Sequence, residues 1–211
     1  MGSNGPIEME GDAPPPRSVL ERRTQRGRLL DGMARTVSRR GYAATPVAEV
    51  LKAAGVSRRT FYEQFVDKED CFLAAYDAIV ALCTERLIVA YHAGATWEDG
   101  IAHAYEALLE TLAAEPDFAH LGVVDVLAAG PRAIARREAA LRRFARFIDF
   151  TRERVDAAAM PPRLVGQAIV GGIHELVYSQ IARGETTRLP ELTRELLHYT
   201  FMLLGVPRAV G

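Results

Sequence analysis

The stretch that most constrains this chain is Thr45 to Lys68, TPVAEVLKAAGVSRRTFYEQFVDK, because its punctuation leaves room for only two short helices joined by a tight turn. Thr45 can cap a helix whose first position is Pro46, where a missing N–H costs nothing, and Val47, Val50, Leu51 and Ala54 then share one face. Gly55 stops that helix and Ser57 caps a second, in which Val56 can staple to Phe61 while Phe61 and Phe65 turn inward together. The other side stays polar, with Arg58 and Arg59 in the exposed first turn and Thr60, Tyr62 and Glu63 following. Donors and one aromatic ring therefore stand at the end of the helix that enters a major groove in a helix-turn-helix, and Arg59 is best placed to read a base.

Gly41-Tyr42, Thr45, Ala54-Gly55-Val56-Ser57, Thr60-Phe61-Tyr62, Phe65 and Asp67-Lys68-Glu69 form an ordered skeleton that resembles the TetR family of transcriptional regulators. Beyond residues 41–69 the likeness is one of length, all-helical character and, loosely, the last two helices. The resemblance implies a repressor released from DNA by a small molecule. It also implies that Thr45, Thr60, Tyr62 and Lys68 anchor the DNA backbone, with Arg58 and Arg59 beside them. Arg59 stands where the family often places Gly, which bears on the sequence read.

Charge supports the same end of the chain. The net charge of −1 conceals an asymmetry, since residues 17–68 hold twelve Lys/Arg against five Asp/Glu and so leave −8 to the remainder. At 211 residues and 49% apolar composition the chain has ample material for a buried core. Cys71 and Cys83 lie twelve apart on what reads as one helix, too far to bond at about 1.5 Å rise per residue, which suits reduced, buried thiols and a cytoplasmic setting. No apolar run approaches the roughly 18 residues of a membrane span, and Met1 to Pro16 is acidic and proline-rich where an export signal would be basic and then apolar. Residues 1–17 read as a disordered arm.

From there the pattern is helical throughout, with no internal repeat and no strand alternation. A helix from about Ser18 to Arg40 carries Leu30, Met33, Ala34 and Val37, and its Arg22, Arg23, Arg26 and Arg28 suit phosphates or simply a solvated face. Asp67 caps a fourth helix, with Asp70 completing an acid-for-acid capping box, that runs to about Tyr91. Thr96 starts the next, reaching about Ala114. Pro116 opens a short one ending near Gly130-Pro131, and Leu141, Phe144, Ala145, Ile148 and Val155 mark a long one whose Arg136, Arg137, Arg142, Arg143 and Arg146 read as solvated. Residues 163–183 form a helix with Gly166, Gly171 and Gly172, each costing about 1 kcal/mol against alanine unless a close crossing compensates. The last helix, Pro190 to Leu204, shows two apolar stripes, Leu192, Leu196, Tyr199 and Leu203 on one and Leu197, Phe201 and Leu204 on the other, one more than a single core needs.

The expected architecture is all-α: a three-helix helix-turn-helix domain over 18–66, a C-terminal helical bundle for ligand sensing and dimerisation over 67–205, and a tail over 206–211. The expected partners are double-stranded DNA with a palindromic operator, a small, mostly apolar effector and a second copy of the chain, with no membrane and no cofactor. Gly171, Gly172, Leu197 and Phe201 are the expected dimer interface, and Cys83, His103, Phe147 and Tyr178 the expected cavity wall. His103, Asp125, His174 and Tyr178 are polar groups on apolar helices that fit a satisfied core as well as a cavity. The five histidines show no metal spacing, and no phosphate loop or nucleophile elbow offers catalysis. A ligand-independent DNA-organising protein shares the same head, and a bundle enzyme with an accessory DNA domain would need clustered acids or histidines that the sequence does not supply.

Overall fold

Side-chain caps fix where the helices begin. In the computed structural model, which describes residues 23–152 and 164–206, Thr24 accepts from Gly27 N at 2.9 Å and opens α1, Gln25–Arg40. Ser57 accepts from Thr60 N at 3.1 Å to open α3, Arg58–Gln64, and Thr96 accepts from Asp99 N at 3.1 Å to open α5, Trp97–Ala114. Asp67 accepts from Asp70 N at 2.8 Å to open α4, Lys68–His92, while the Asp70 carboxylate accepts from Val66 N at 3.1 Å. The reciprocal bond thus lands one residue before the cap, and the first turn carries acids at its positive end.

Between α1 and α3 lies α2, Val47–Ala54, closed by Gly55 in the left-handed conformation at φ 63°. Pro46, not Thr45, occupies its cap position and makes no side-chain bond. Thr45 is fully buried and donates to Gly41 O at 2.9 Å, because its hydroxyl is nearer the end of α1 than the start of α2. The body continues through α6, Pro116–Val123, which ends earlier than expected and yields to a 3-10 turn over Asp125–Ala128. Then come α7, Pro131–Arg152, and α8, Val165–Ala182. The last helix, α9, is Thr193–Leu204 and not Pro190–Leu204, since Pro190 sits inside a 3-10 segment, Thr186–Leu192. Residues 1–22, Val155 and residue 163, on which other expectations fell, lie outside the described residues.

One continuous apolar core runs through head and body. It starts with Leu29, Met33 and Val37 of α1, takes in Val50 and Phe61 of the reading pair, and passes through Phe72, Ile79 and Leu87 of α4 to Phe118, Ile148, Ile169 and Phe201. The α1 helix packs on α2, α4 and α6, so the head rests on the body along a whole helix. Gly32 makes this possible on the α2 side: a Cβ there would stand 3.0 Å from Val50 O and 3.0 Å from Ala54 N.

The second stripe of α9 is buried throughout, whereas on the first only Leu196 is buried and Leu192, Tyr199 and Leu203 are half-buried. Leu196, Leu197, Thr200, Phe201 and Leu204 are all buried within the single chain, with Phe201 edge-on to Trp97 at 5.8 Å and Thr200 Oγ1 hydrogen-bonded to the Tyr105 hydroxyl at 2.8 Å. Leu197 and Phe201 are therefore core residues and not a partner-facing stripe. Gly172 likewise serves an internal crossing, since a Cβ there would lie 2.5 Å from the Tyr199 hydroxyl, which donates to Ala168 O. Gly171 alone of that expected interface faces open space.

Candidate nucleic-acid interface and interior cavity

On the head, α3 presents one face to solvent. Phe61 and Phe65 are buried with ring centroids 5.7 Å apart, which turns Arg58, Arg59 and Tyr62 outward. The Arg58 guanidinium lies 5.7 Å from the Tyr62 ring centre, and Arg59, whose side chain is 89% exposed, pairs with Glu63 at 2.9 Å one turn later. Thr60 is half-buried, its hydroxyl 2.9 Å from Ser57 Oγ. Lys68 is turned toward the head: its ammonium donates to Tyr42 O at 3.0 Å and lies 4.1 Å from the Tyr42 ring centre. Thr45, by contrast, is buried and bonded and has no surface atom to offer a phosphate.

The arginines of α1 divide by use. Arg23 and Arg28 are exposed, whereas Arg26 donates to Gln64 O at 3.4 Å and covers the Phe65 ring at 4.6 Å, bracing the end of α3. Arg35 pairs with Asp31 at 3.0 Å and donates to Ala53 O at 2.7 Å, which ties α2 down.

In the body, α4 to α8 line a partly open apolar cavity of about 130 Å³, with Leu196 of α9 on one side. Cys83 and Phe147 both line it, and burial pushes the Cys83 thiol up to about 12, so that it is a neutral wall group. His103 and Tyr178 do not line it. The cavity face of α5 is set by Tyr105, Leu108, Leu109 and Leu112, and His103 points about half a turn away; Tyr178 flanks the row Val170, Ile173, His174 and Val177. The volume is well under the roughly 300–1,000 Å³ of an ordinary ligand pocket.

Two polar wall residues lie outside the cavity wall expected from the sequence: Arg137, whose pattern reads as solvated, and His174, whose position fits a satisfied core as well as a cavity. The signal was present, because Arg137, Leu141, Phe144 and Ile148 fall on one helical row. Arg137 Nη2 lies 3.3 Å from His174 Nδ1, and burial, with the neighbouring charge, lowers the imidazole to about 4. Asp125, the other ambiguous polar group, is satisfied at 2.7 Å by His120, whose pKa it raises. Among the described residues no three His, Cys, Asp or Glu side chains gather as a metal would require, and no helix is long and apolar enough to cross a membrane.

Two routes connect head and cavity. The α4 helix begins at Lys68 beside Tyr42 and lines the cavity through Tyr76, Ile79 and Cys83; the ion pairs Glu69–Arg132 and Asp77–Arg136 tie it to α7. The α6 helix lines the cavity through Phe118 and Gly122 while its Asp117 accepts from Ser38 Oγ of α1 at 2.6 Å.

Residues 29–75 match the family described as bacterial regulatory proteins, tetR family. The whole fold is similar to a fatty acid degradation regulator, FadR, from Bacillus halodurans, with TM-score 0.76 at 19% identity over 87% of this chain and 96% of that one. It is similar to the transcriptional regulator FadR from Bacillus subtilis, solved in complex with stearoyl-CoA, with TM-score 0.72 at 19% identity over 85% and 98%. A TetR-like transcriptional regulator from Rhodococcus sp. RHA1 gives 0.68 at 18% identity over 84% and 96%. Among curated proteins none matches the sequence. Residues 29–75 thus carry the helix-turn-helix domain of that family, and the chain as a whole shares the all-helical fold of these regulators.

Proposed function

We propose that the protein is a cytoplasmic repressor that holds a near-palindromic operator as a homodimer and leaves it when a small, mostly apolar effector enters the cavity of the body. The observation that carries this reading is the double connection just described: the helices that wall the cavity, α4 and α6, are also the ones on which α1 of the head rests. Arg58, Arg59, Thr60 and Tyr62 make the DNA contacts, with Arg59 reading a base, and Lys68 meets the backbone by exchanging its Tyr42 partner for a phosphate. The Bacillus subtilis protein of the same fold, solved in complex with stearoyl-CoA, supports a small-molecule effector for this chain.

A ligand moves the equilibrium only by its differential affinity for the two forms, and coupling of about 1–3 kcal/mol lowers operator affinity some 5- to 150-fold. DNA selected from a random pool supplies the operator, and compounds are then screened against that complex. An effector that raises the melting temperature while lowering operator affinity is the expected result. Operator binding indifferent to every compound that stabilises the protein would leave a ligand-independent binder.

A further inference from the structure

We infer that the effector is a compact organic acid: an apolar body fills the cavity, and its carboxylate takes the Arg137 guanidinium beside His174. This rests on the cavity being the effector site, and it adds the chemical class. Along α7, Arg132 holds Glu69 and Arg136 holds Asp77 of α4, while Arg142 pairs with Glu138 one turn back on its own helix. Arg137 is different. No carboxylate among the described residues pairs with it, its Nε is buried without a hydrogen-bond partner, and its contact is an imidazole nitrogen at 3.3 Å. A half-buried guanidinium with a sealed, unbonded N–H is incompletely satisfied, and a planar bidentate anion is the group that matches its fork.

His174 completes the receptor. A guanidinium has only donors, so His174 Nδ1 accepts and the proton of the neutral ring sits on Nε2, available to a second acceptor. The rest of the wall discriminates in the same direction. Cys83 is a neutral thiol, and the Tyr105 hydroxyl is already engaged by Thr200, so the remaining lining favours hydrocarbon. The space sets the size: about 130 Å³ is close to the roughly 150 Å³ that accepts benzene in an engineered apolar cavity, which suits an aryl or short-chain acid and not a long acyl chain.

The test uses the full-length protein with phenylacetate and hexanoate, their primary amides, and octanoyl-CoA, reading melting temperature and operator release together. The acids are expected to bind the wild type about tenfold or more tightly than the amides, and Arg137→Met to lose that preference while its ligand-free melting temperature holds. Arg137→Lys should recover it in part. Amides that bind as well as acids, acids indifferent to Arg137→Met, or binding by octanoyl-CoA alone would each overturn the assignment of the head group while leaving the cavity as effector site. Acids that bind through Arg137 without releasing the operator would uphold the head group and overturn the induction reading.

Discussion

Arg59 and Glu63 hold each other across one turn of α3, yet both are largely exposed, so the pair is worth little by itself and opens at small cost. Arg59→Ala should therefore leave the fold intact and relax preference at one base position by about 1–3 kcal/mol, read by repeating the DNA selection with the variant. Lys68→Ala should weaken all sequences alike and flatten the salt dependence. At the cavity the informative side chain is His174. Its folded pKa of about 4 lies below the ordinary value near 6.5, so unfolding takes up a proton between those limits and stability falls with pH across that window. His120 has the opposite sign: Asp125 raises its pKa, and its contribution, whole below 6.5, is lost as pH rises through the raised value. Melting curves from pH 7 to 4 should fall less steeply for His174→Gln than for the wild type, whereas equal slopes would place the ring in water.

Helix ends were the most legible part of the sequence, because Ser57, Asp67 and Thr96 each combine a capping oxygen with the apolar run that follows. Thr45 was misread for the same reason in reverse: a threonine before a proline has the right chemistry for a cap, but only the tertiary position of Gly41 O decides which carbonyl takes its proton. The role of Gly32 was not legible at all, since nothing in a helical window says that a second helix crosses there. Gly32→Ala should raise helix propensity and still destabilise the protein, because the added methyl meets backbone atoms of α2 at 3.0 Å that cannot swing aside. A melting temperature above that of the wild type would show that the crossing yields. The Ser38–Asp117 bond makes a different claim for α6. Asp117→Ala should keep operator affinity nearly unchanged and diminish the effect of an effector upon it, measured as the ratio of the two affinities.

At the scale of the molecule, the buried face of α9 moves the question of the partner to what remains outside. Leu176 at 48% and Met202 at 59% are exposed large apolar side chains on α8 and α9. If the dimer forms there, Leu176→Asp together with Met202→Asp should give a monomer by sedimentation velocity and lower operator affinity steeply, with little change in helicity. An intact dimer would move the interface elsewhere. The sequence could mark two stripes on α9 but could not assign them, since whether Phe201 meets Trp97 or a second copy depends on where α5 lies.

The core that runs unbroken from Leu29 to Leu204 bears on how such a chain can change over time. Where a reading head is strung on a linker, operator and effector preferences can be traded separately by exchanging domains. Here the underside of α1 and the faces of α4 and α6 are cut to one another, so a transplanted head would arrive with a mismatched floor. New DNA preferences are more accessible to this chain through point changes on the outer face of α3, which touches solvent alone, than through recombination at the short link between α3 and α4.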